Sequence, residues 1–271
     1  MPCKNALAIL LIVFLPWFAY ANESVSGTVR LSYDGYAGPF YVMSATVDLK
    51  FEDGRYRVAT NSRTEGFAAW MFSWRSKVVS EGRRENGTLM PAQHQVESRL
   101  EDNDRRVRLR YENRRPVVEE LVPVPDGTRR DTVPEDLYDR TVDPLTMTAN
   151  VLLSMAQSGR CEGDYRVFDG RRRYNLAVNH GASAELEESG SSVFSGPAQG
   201  CLLKLERIAG FLKKKTKVGK PLLTPTLWIA RPLEGSPPVP VKFEAKSSFG
   251  SLRIHLTRFQ MGDDVIELEK D

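Results

Sequence analysis

A chain of 271 residues with 41% hydrophobic, 27% charged and 9% aromatic content is globular by composition. It is too charged for a multi-span membrane protein and too apolar for a disordered one. Its 38 basic and 35 acidic residues nearly cancel, to a formal +3, and a mixed surface of that kind lacks the polybasic footprint of a nucleic-acid binder.

The first residues have the pattern of an export signal. Lys4 supplies a short basic start, residues 6–18 an apolar run, and Ala19-Tyr20-Ala21 a small-x-small cleavage site. The run falls short of the about 20 apolar residues a spanning helix needs, and Pro16 lies near its end. Cys3 precedes the run, whereas lipid attachment needs a cysteine just after it, so Cys3 is expected to leave with the signal. The expected mature chain starts near Asn22, after cleavage behind Ala21, and forms one periplasmic domain over residues 22–271. Loss of Lys4 takes its formal charge from +3 to +2. Export also removes access to the ATP and nicotinamide pools on which most cytosolic enzymes depend.

Period-two alternation predicts strands along the rest of the chain. Val29, Leu31 and Tyr33 alternate with polar neighbours, as do Val47, Leu49 and Phe51, and Val107, Leu109 and Tyr111. Tyr165–Val167 leads through Asp169-Gly170 into Tyr174, Leu176 and Val178. Later strands are predicted over residues 202–208, 226–230, 239–245 and 252–259, with a frayed acidic tail beyond Phe259. Turns are predicted at Asp34-Gly35, Asp53-Gly54, Asn86-Gly87, Asp126-Gly127 and Asp169-Gly170. The proline-rich stretches 116–134 and 232–240 suit loops or strand edges.

One segment breaks the alternation. Asp143 can cap a helix, Pro144 fits its first position and Gly159 its stop. Between them Leu145, Ala149, Leu152 and Met155 fall at helical spacing, and no residue is charged. A helix without a charged face is buried nearly all round. The expected fold is therefore mainly β: a curved antiparallel sheet, an open half-barrel, wrapped around one buried α-helix.

Cys161 and Cys201 remain after export. An isolated even pair in an oxidising compartment predicts a disulfide, closing a loop of about 40 residues and contributing roughly 4 kcal/mol in the chain-entropy model. Neither lies in a Cys-x-x-Cys motif, and no histidine stands at ligand spacing to them.

The helix opening Asp143-Pro144-Leu145, then Cys161, then Val167-Phe168-Asp169-Gly170-Arg171-Arg172-Arg173-Tyr174, resembles the signature of the exported bacterial family called domain of unknown function 3108. Cys201 with Ile208-Ala209-Gly210, and Leu227-Trp228-Ile229-Ala230 before a Pro-Val strand, continue the likeness. It covers most of the mature chain and is best between Asp143 and Phe259. The lysine-rich stretch Lys213-Lys214-Lys215-Thr216-Lys217 and the aromatic stretch from Phe67 to Trp74 depart from the pattern. The family carries no established reaction, so the resemblance implies location and fold. The outline is also similar to the half-barrel of periplasmic lipoprotein carriers, a likeness of fold that assigns no activity.

Motifs for chemistry are sparse. There is no Gly-x-Ser-x-Gly, no His-Glu-x-x-His and no phosphate-binding loop, so neither an enzyme nor a cofactor is predicted. His94, His180 and His255 are far apart and are expected on the surface. The pairs Glu119-Glu120, Glu187-Glu188 and Asp263-Asp264 are strand neighbours that point to opposite faces. Arg106, Arg108 and Arg110 form one solvated strand face.

Three features carry the functional expectation. The stretch Phe67 to Trp74 suits either a satellite core or a lid, with Trp70, Met71, Phe72 and Trp74 lining a site for acyl chains or an apolar peptide. Phe67 belongs to the same candidate set, and Leu152 and Met155 would face that site from the helix. Lys213, Lys214, Lys215 and Lys217 suit a solvated loop or a peripheral contact with anionic headgroups. The expected partner is a lipid or apolar ligand; the rivals are an adaptor that binds another envelope protein through a sheet edge and a hydrolase of envelope polymers.

Overall fold

The computed structural model describes residues 27–213, 223–247 and 250–269. The export segment and Lys214, Lys215 and Lys217 lie outside the described residues.

Seven strands come first: β1 (Gly27–Ala37), β2 (Phe40–Glu52), β3 (Arg55–Thr64), β4 (Trp74–Glu85), β5 (Thr88–Leu100), β6 (Asn103–Glu112) and β7 (Arg115–Val122). A short helix, α1 (Gly66–Met71), joins β3 to β4. The long helix α2 (Pro144–Ser158) precedes β8 (Gly163–Phe168), β9 (Arg173–Leu186), β10 (Gly196–Ala209), β11 (Leu223–Ala230), β12 (Val239–Ser247), β13 (Gly250–Met261) and β14 (Asp264–Glu267). All pair into one antiparallel sheet of order β7-β6-β5-β4-β3-β2-β1-β13-β12-β11-β10-β9-β8, with β14 added beside β13. The first strand thus joins the halves, pairing with β2 on one side and β13 on the other.

Alternation sets the inner face. Val29, Leu31 and Tyr33 on β1, Tyr56 and Val58 on β3, and Leu256 and Phe259 on β13 are buried in a core that includes Ala149 of α2. On the outer face the arginines of β6 are exposed and matched across the strand pair: Arg106 with Glu120 at 2.7 Å and Arg110 with Glu119 at 2.6 Å. The expected solvated face is there, neutralised by its neighbour.

The helix forms where its signals place it. The Asp143 carboxylate accepts from the Leu145 and Thr146 backbone N–H groups, Pro144 opens the first turn, and Gly159 closes the helix at φ 69°. Thr146, Ala149, Asn150 and Val151 of α2 are buried, most of its other residues are half-buried, and its last two reach solvent.

The sheet does not zip shut. Its two ends, β7 and β8, are not strand partners, and side chains fill the seam between them. Phe168 of β8 packs with Val107 and Leu109 of β6 and with Val133, and it stacks on Tyr138 at 4.4 Å. Arg171 donates to the Val122 and Pro123 carbonyls at the end of β7. Val142 takes up the free edge of β8, donating to Arg166 O and accepting from Phe168 N.

Three local expectations are corrected. Asp34-Gly35 is no turn but lies inside β1, held between β2 and β13; the chain reverses after Ala37, with Gly38 at φ 58°. The tail is not frayed beyond Phe259, because β13 runs to Met261 and β14 folds back on it. His94 and His255 are not surface residues, at 1% and 8% exposure. A histidine on a strand follows its strand's alternation, and both fall on positions that pack inward or beneath neighbouring rings.

Cys161 and Cys201 are bonded, with Cα atoms 5.9 Å apart, and both are fully buried. The bridge joins the exit of α2 to β10. Replacing both cysteines by serine releases a loop of 40 residues, which should lower stability by about 4 kcal/mol. For a domain of this size that is a fall of about 8–16 °C in melting temperature, measured by calorimetry. An unchanged melt would show that the helix exit is held without the bridge.

Candidate functional site

The inner wall of β1–β3, the wall of β12–β13 and one stripe of α2 line a half-open cavity of about 220 Å³. The stripe is Leu145, Thr148, Ala149 and Leu152, residues spaced three or four apart and so stacked on one helix face. Leu31, Ala45, Val47, Leu49 and Val58 form the wall opposite, and Met43, Phe243 and Ile254 bound it further along β2, β12 and β13. Three polar side chains of the lining are already engaged. Tyr33 donates its hydroxyl to Pro240 O at 2.9 Å, and Thr148 donates to Pro144 O at 3.0 Å. Lys242 pairs with Glu244 at 3.1 Å. Burial pushes the Tyr33 phenol far above its ordinary range, so it stays neutral. A space of this kind offers dispersion contacts and no directed recognition, which suits hydrocarbon.

What holds α2 over that space is polar and was not anticipated. Ser80 of β4 donates to Asp143 Oδ1 at 2.6 Å, and His94 Nδ1 of β5 lies 2.8 Å from Ser80 Oγ and 3.3 Å from the same carboxylate oxygen. Thr146 donates to Asp143 Oδ2 at 2.6 Å. With its own proton committed, Thr146 accepts from the Tyr56 hydroxyl of β3 at 2.6 Å. Tyr56 reaches inward because Gly82 faces it; a Cβ there would sit 2.0 Å from Met90 O and 2.9 Å from the Tyr56 ring. One turn further on, Asn150 closes a two-way bond with the Leu89 backbone, donating at 3.0 Å and accepting at 2.8 Å. Two atoms of this cluster, His94 Nε2 and the Tyr111 hydroxyl, lack a hydrogen-bond partner among the described residues.

Ser80, His94 and Asp143 are the side chains of a hydrolytic triad, but not its geometry. In such a triad the serine and the carboxylate engage opposite imidazole nitrogens. Here both lie at Nδ1, and the His94 and Asp143 side chains are 1% and 0% exposed. The trio is a buried cap and tether. Burial raises the Asp143 pKa, but the charge of His94 and the hydrogen bonds from His94, Ser80 and Thr146 outweigh it and hold the carboxyl below its ordinary value.

The residues singled out from sequence are partly brought together. Leu152 lines the cavity. Met155 does not; one turn further along α2 than Leu152, it packs against the cluster of Val151, Cys161, Val167 and Cys201. Phe67, Trp70, Met71 and Phe72 do not line the cavity either and are exposed on the outside, at 56%, 82%, 61% and 41%. Only Ala68 of α1 turns inward. Trp74 opens β4, half-buried, and donates to Ser98 Oγ at 3.2 Å. Lys213 is exposed and pairs with Asp131 at 2.8 Å. No helix among the described residues is long and apolar enough to cross a membrane.

A family model described as a protein of unknown function, DUF3108, matches residues 32–257. Among solved structures the chain is similar to a β-barrel-like protein of domain of unknown function DUF1849 from Brucella abortus. That match has a TM-score of 0.50 and 12% identity, and it covers 88% of this chain and 99% of that one; at such identity the likeness is one of fold. No curated protein matches.

The low Asp143 pKa makes stability depend on pH. A folded value below the unfolded one, about 3.9, gives a contribution complete above pH 4 and lost as pH falls through the folded value. Asp143→Asn keeps a capping oxygen but removes the charge beside His94. It should cost about 3 kcal/mol at pH 7, with the difference from wild type shrinking below pH 4, both read from urea unfolding. Equal stability at pH 7 would contradict the tether.

Proposed function

The chain belongs to the DUF3108 family, whose name assigns no activity, and from the interior geometry we propose that it is an exported cell-envelope protein that binds an apolar or lipidic ligand without transforming it. The observation that carries this reading is the cavity between α2 and the sheet, apolar on nearly every side. The signal-like start and the oxidised cysteine pair support the exported location.

The volume limits the ligand. A cavity near 150 Å³ takes a benzene-sized molecule, and drug-sized ligands occupy about 300–1,000 Å³. A space of about 220 Å³ therefore fits a single hydrocarbon chain segment rather than a whole diacyl lipid. The adaptor reading has less support, since Val142 takes up the edge of β8 and the Arg171 guanidinium occupies carbonyls at the end of β7.

Two measurements test the proposal. Saturating dodecanoate, at about one hundred times its dissociation constant, should stabilise the protein by about 2.7 kcal/mol, a rise of about 5–10 °C in melting temperature. Ala149→Leu adds bulk at the centre of the stripe and should weaken dodecanoate binding at least tenfold, with the fold intact by circular dichroism. No thermal shift and no displacement of a bound fluorescent fatty acid in the wild type would defeat the reading. Material recovered from the periplasm should begin at Asn22 by intact-mass spectrometry; an unprocessed mass would defeat the exported location.

A further inference from the structure

We propose that the surface where the exit of β7 meets the β8–β9 turn binds an oxyanion, a phosphate group, among five arginines. Separate segments of the chain converge there. Arg171, in the turn between β8 and β9, donates to the Val122 carbonyl and to Pro123 O at 2.8 Å. Arg130, in the loop between β7 and α2, donates to Gly210 O at 2.6 Å and pairs its backbone with Leu212. Gly210 makes the approach possible: at φ 76° it backs so close to the turn that a Cβ would meet Arg171 O at 2.0 Å. Arg129 and Arg172 stand exposed beside these two, and Arg105 of β6 is near enough to bear electrostatically on both Arg130 and Arg171.

Positive charge here exceeds its counter-charge. The carboxylate that bears most on Arg130 and Arg171 is Asp169, and its oxygens are already taken. They accept from the Arg171 and Arg172 backbone N–H groups at 2.9 and 2.7 Å and from Arg172 Nε at 2.7 Å. Other carboxylates on the converging segments are committed as well. Asp131 pairs with Lys213 at 2.8 Å, Asp104 holds Arg99 through bonds of 2.5 and 2.9 Å, and Glu120 holds Arg106 at 2.7 Å. Asp126 accepts from the Thr128 backbone and hydroxyl, and Glu135 faces Arg115 at 3.8 Å. Among the described residues the Arg105 and Arg129 guanidinia have no hydrogen bond and no carboxylate within salt-bridge distance.

Main-chain carbonyls satisfy N–H groups of Arg130 and Arg171 without cancelling their charge. Burial, and then the neighbouring guanidinia, draw both pKa values below the ordinary one, yet an arginine stays protonated. The crowding is therefore relieved by an incoming anion and not by loss of a proton. The planar guanidinium fork matches the oxygens of a phosphate, and Arg105 and Arg129 have donors to spare for it. This site shares no lining residue with the apolar cavity, so it stands whether or not that cavity takes a lipid.

Calorimetric titration of the purified protein with inorganic phosphate at pH 7 tests this. The wild type should bind one phosphate, and the double variant Arg105→Ser, Arg129→Ser should bind it at least tenfold more weakly while melting as the wild type does. The pair Arg55→Ser, Arg84→Ser removes the same charge from exposed positions elsewhere and should leave binding unchanged. A titration of Ala149→Leu protein, its cavity filled, with dihexanoyl phosphatidic acid separates the sources of the group. Binding of that lipid at least tenfold tighter than phosphate supports a phosphorylated headgroup, and equal or weaker binding supports a free phosphate. Protein that binds neither anion, or a double variant that binds both undiminished, overturns the proposal. So does an equal loss of binding in the two arginine pairs, which would reduce the effect to net charge.

Discussion

The buried carboxylate of Asp143 is the constraint on which the rest of the interior depends. It satisfies the orphan N–H groups at the start of α2 and, with the same two oxygens, takes hydrogen bonds that anchor β4 and, through Thr146, β3. A charge at 0% exposure is costly unless its lone pairs are filled, so the position of the helix start is over-determined. The helix cannot slide along the sheet without stranding that charge.

Pinning the helix by a polar end frees its apolar flank from having to pack tightly. The side of α2 that carries Val151 and Met155 is pressed against β8–β11 and the disulfide, and Asn150 is locked to the β5 backbone. The remaining stripe, Leu145 to Leu152, packs against the β1–β3 core but leaves a half-open space of about 220 Å³ beside it. Asymmetric fastening of a rod inside a curved sheet is enough to leave a chamber on its unfastened side.

The architecture was legible in the sequence because both of its periods are strong there. Alternation at Val29–Tyr33 and Val107–Tyr111, and the Asp143, Pro144 and Gly159 signals, specify strands and helix locally. The tight turn at Asp53-Gly54, with φ 49° and 73°, needs only its own two residues. Asp34-Gly35 shows where local chemistry loses: two flanking strands outvote a turn dipeptide. The site was less legible. Asp143 announced a cap, but nothing in the chain joins it to Ser80 and His94, which are 63 and 49 positions away and meet only through strand pairing. The aromatic stretch suited a satellite core or a lid because large apolar side chains are usually covered; its outward display follows from tertiary clamps, Gly66 backed so close to β2 that a Cβ would meet Tyr41 O at 2.5 Å and the Thr64 hydroxyl bonded to Phe72 O and Trp74 N.

The seam between β7 and β8 bears on how much the interior can hold. In a fully zipped cylinder the girth is set by a continuous ladder, and widening it means tearing a whole row of main-chain bonds. Here the hoop is buckled rather than welded, by Arg171 on two carbonyls and by the Phe168–Tyr138 stack. Undoing a few side-chain contacts lets the circumference expand while every strand keeps its own partners.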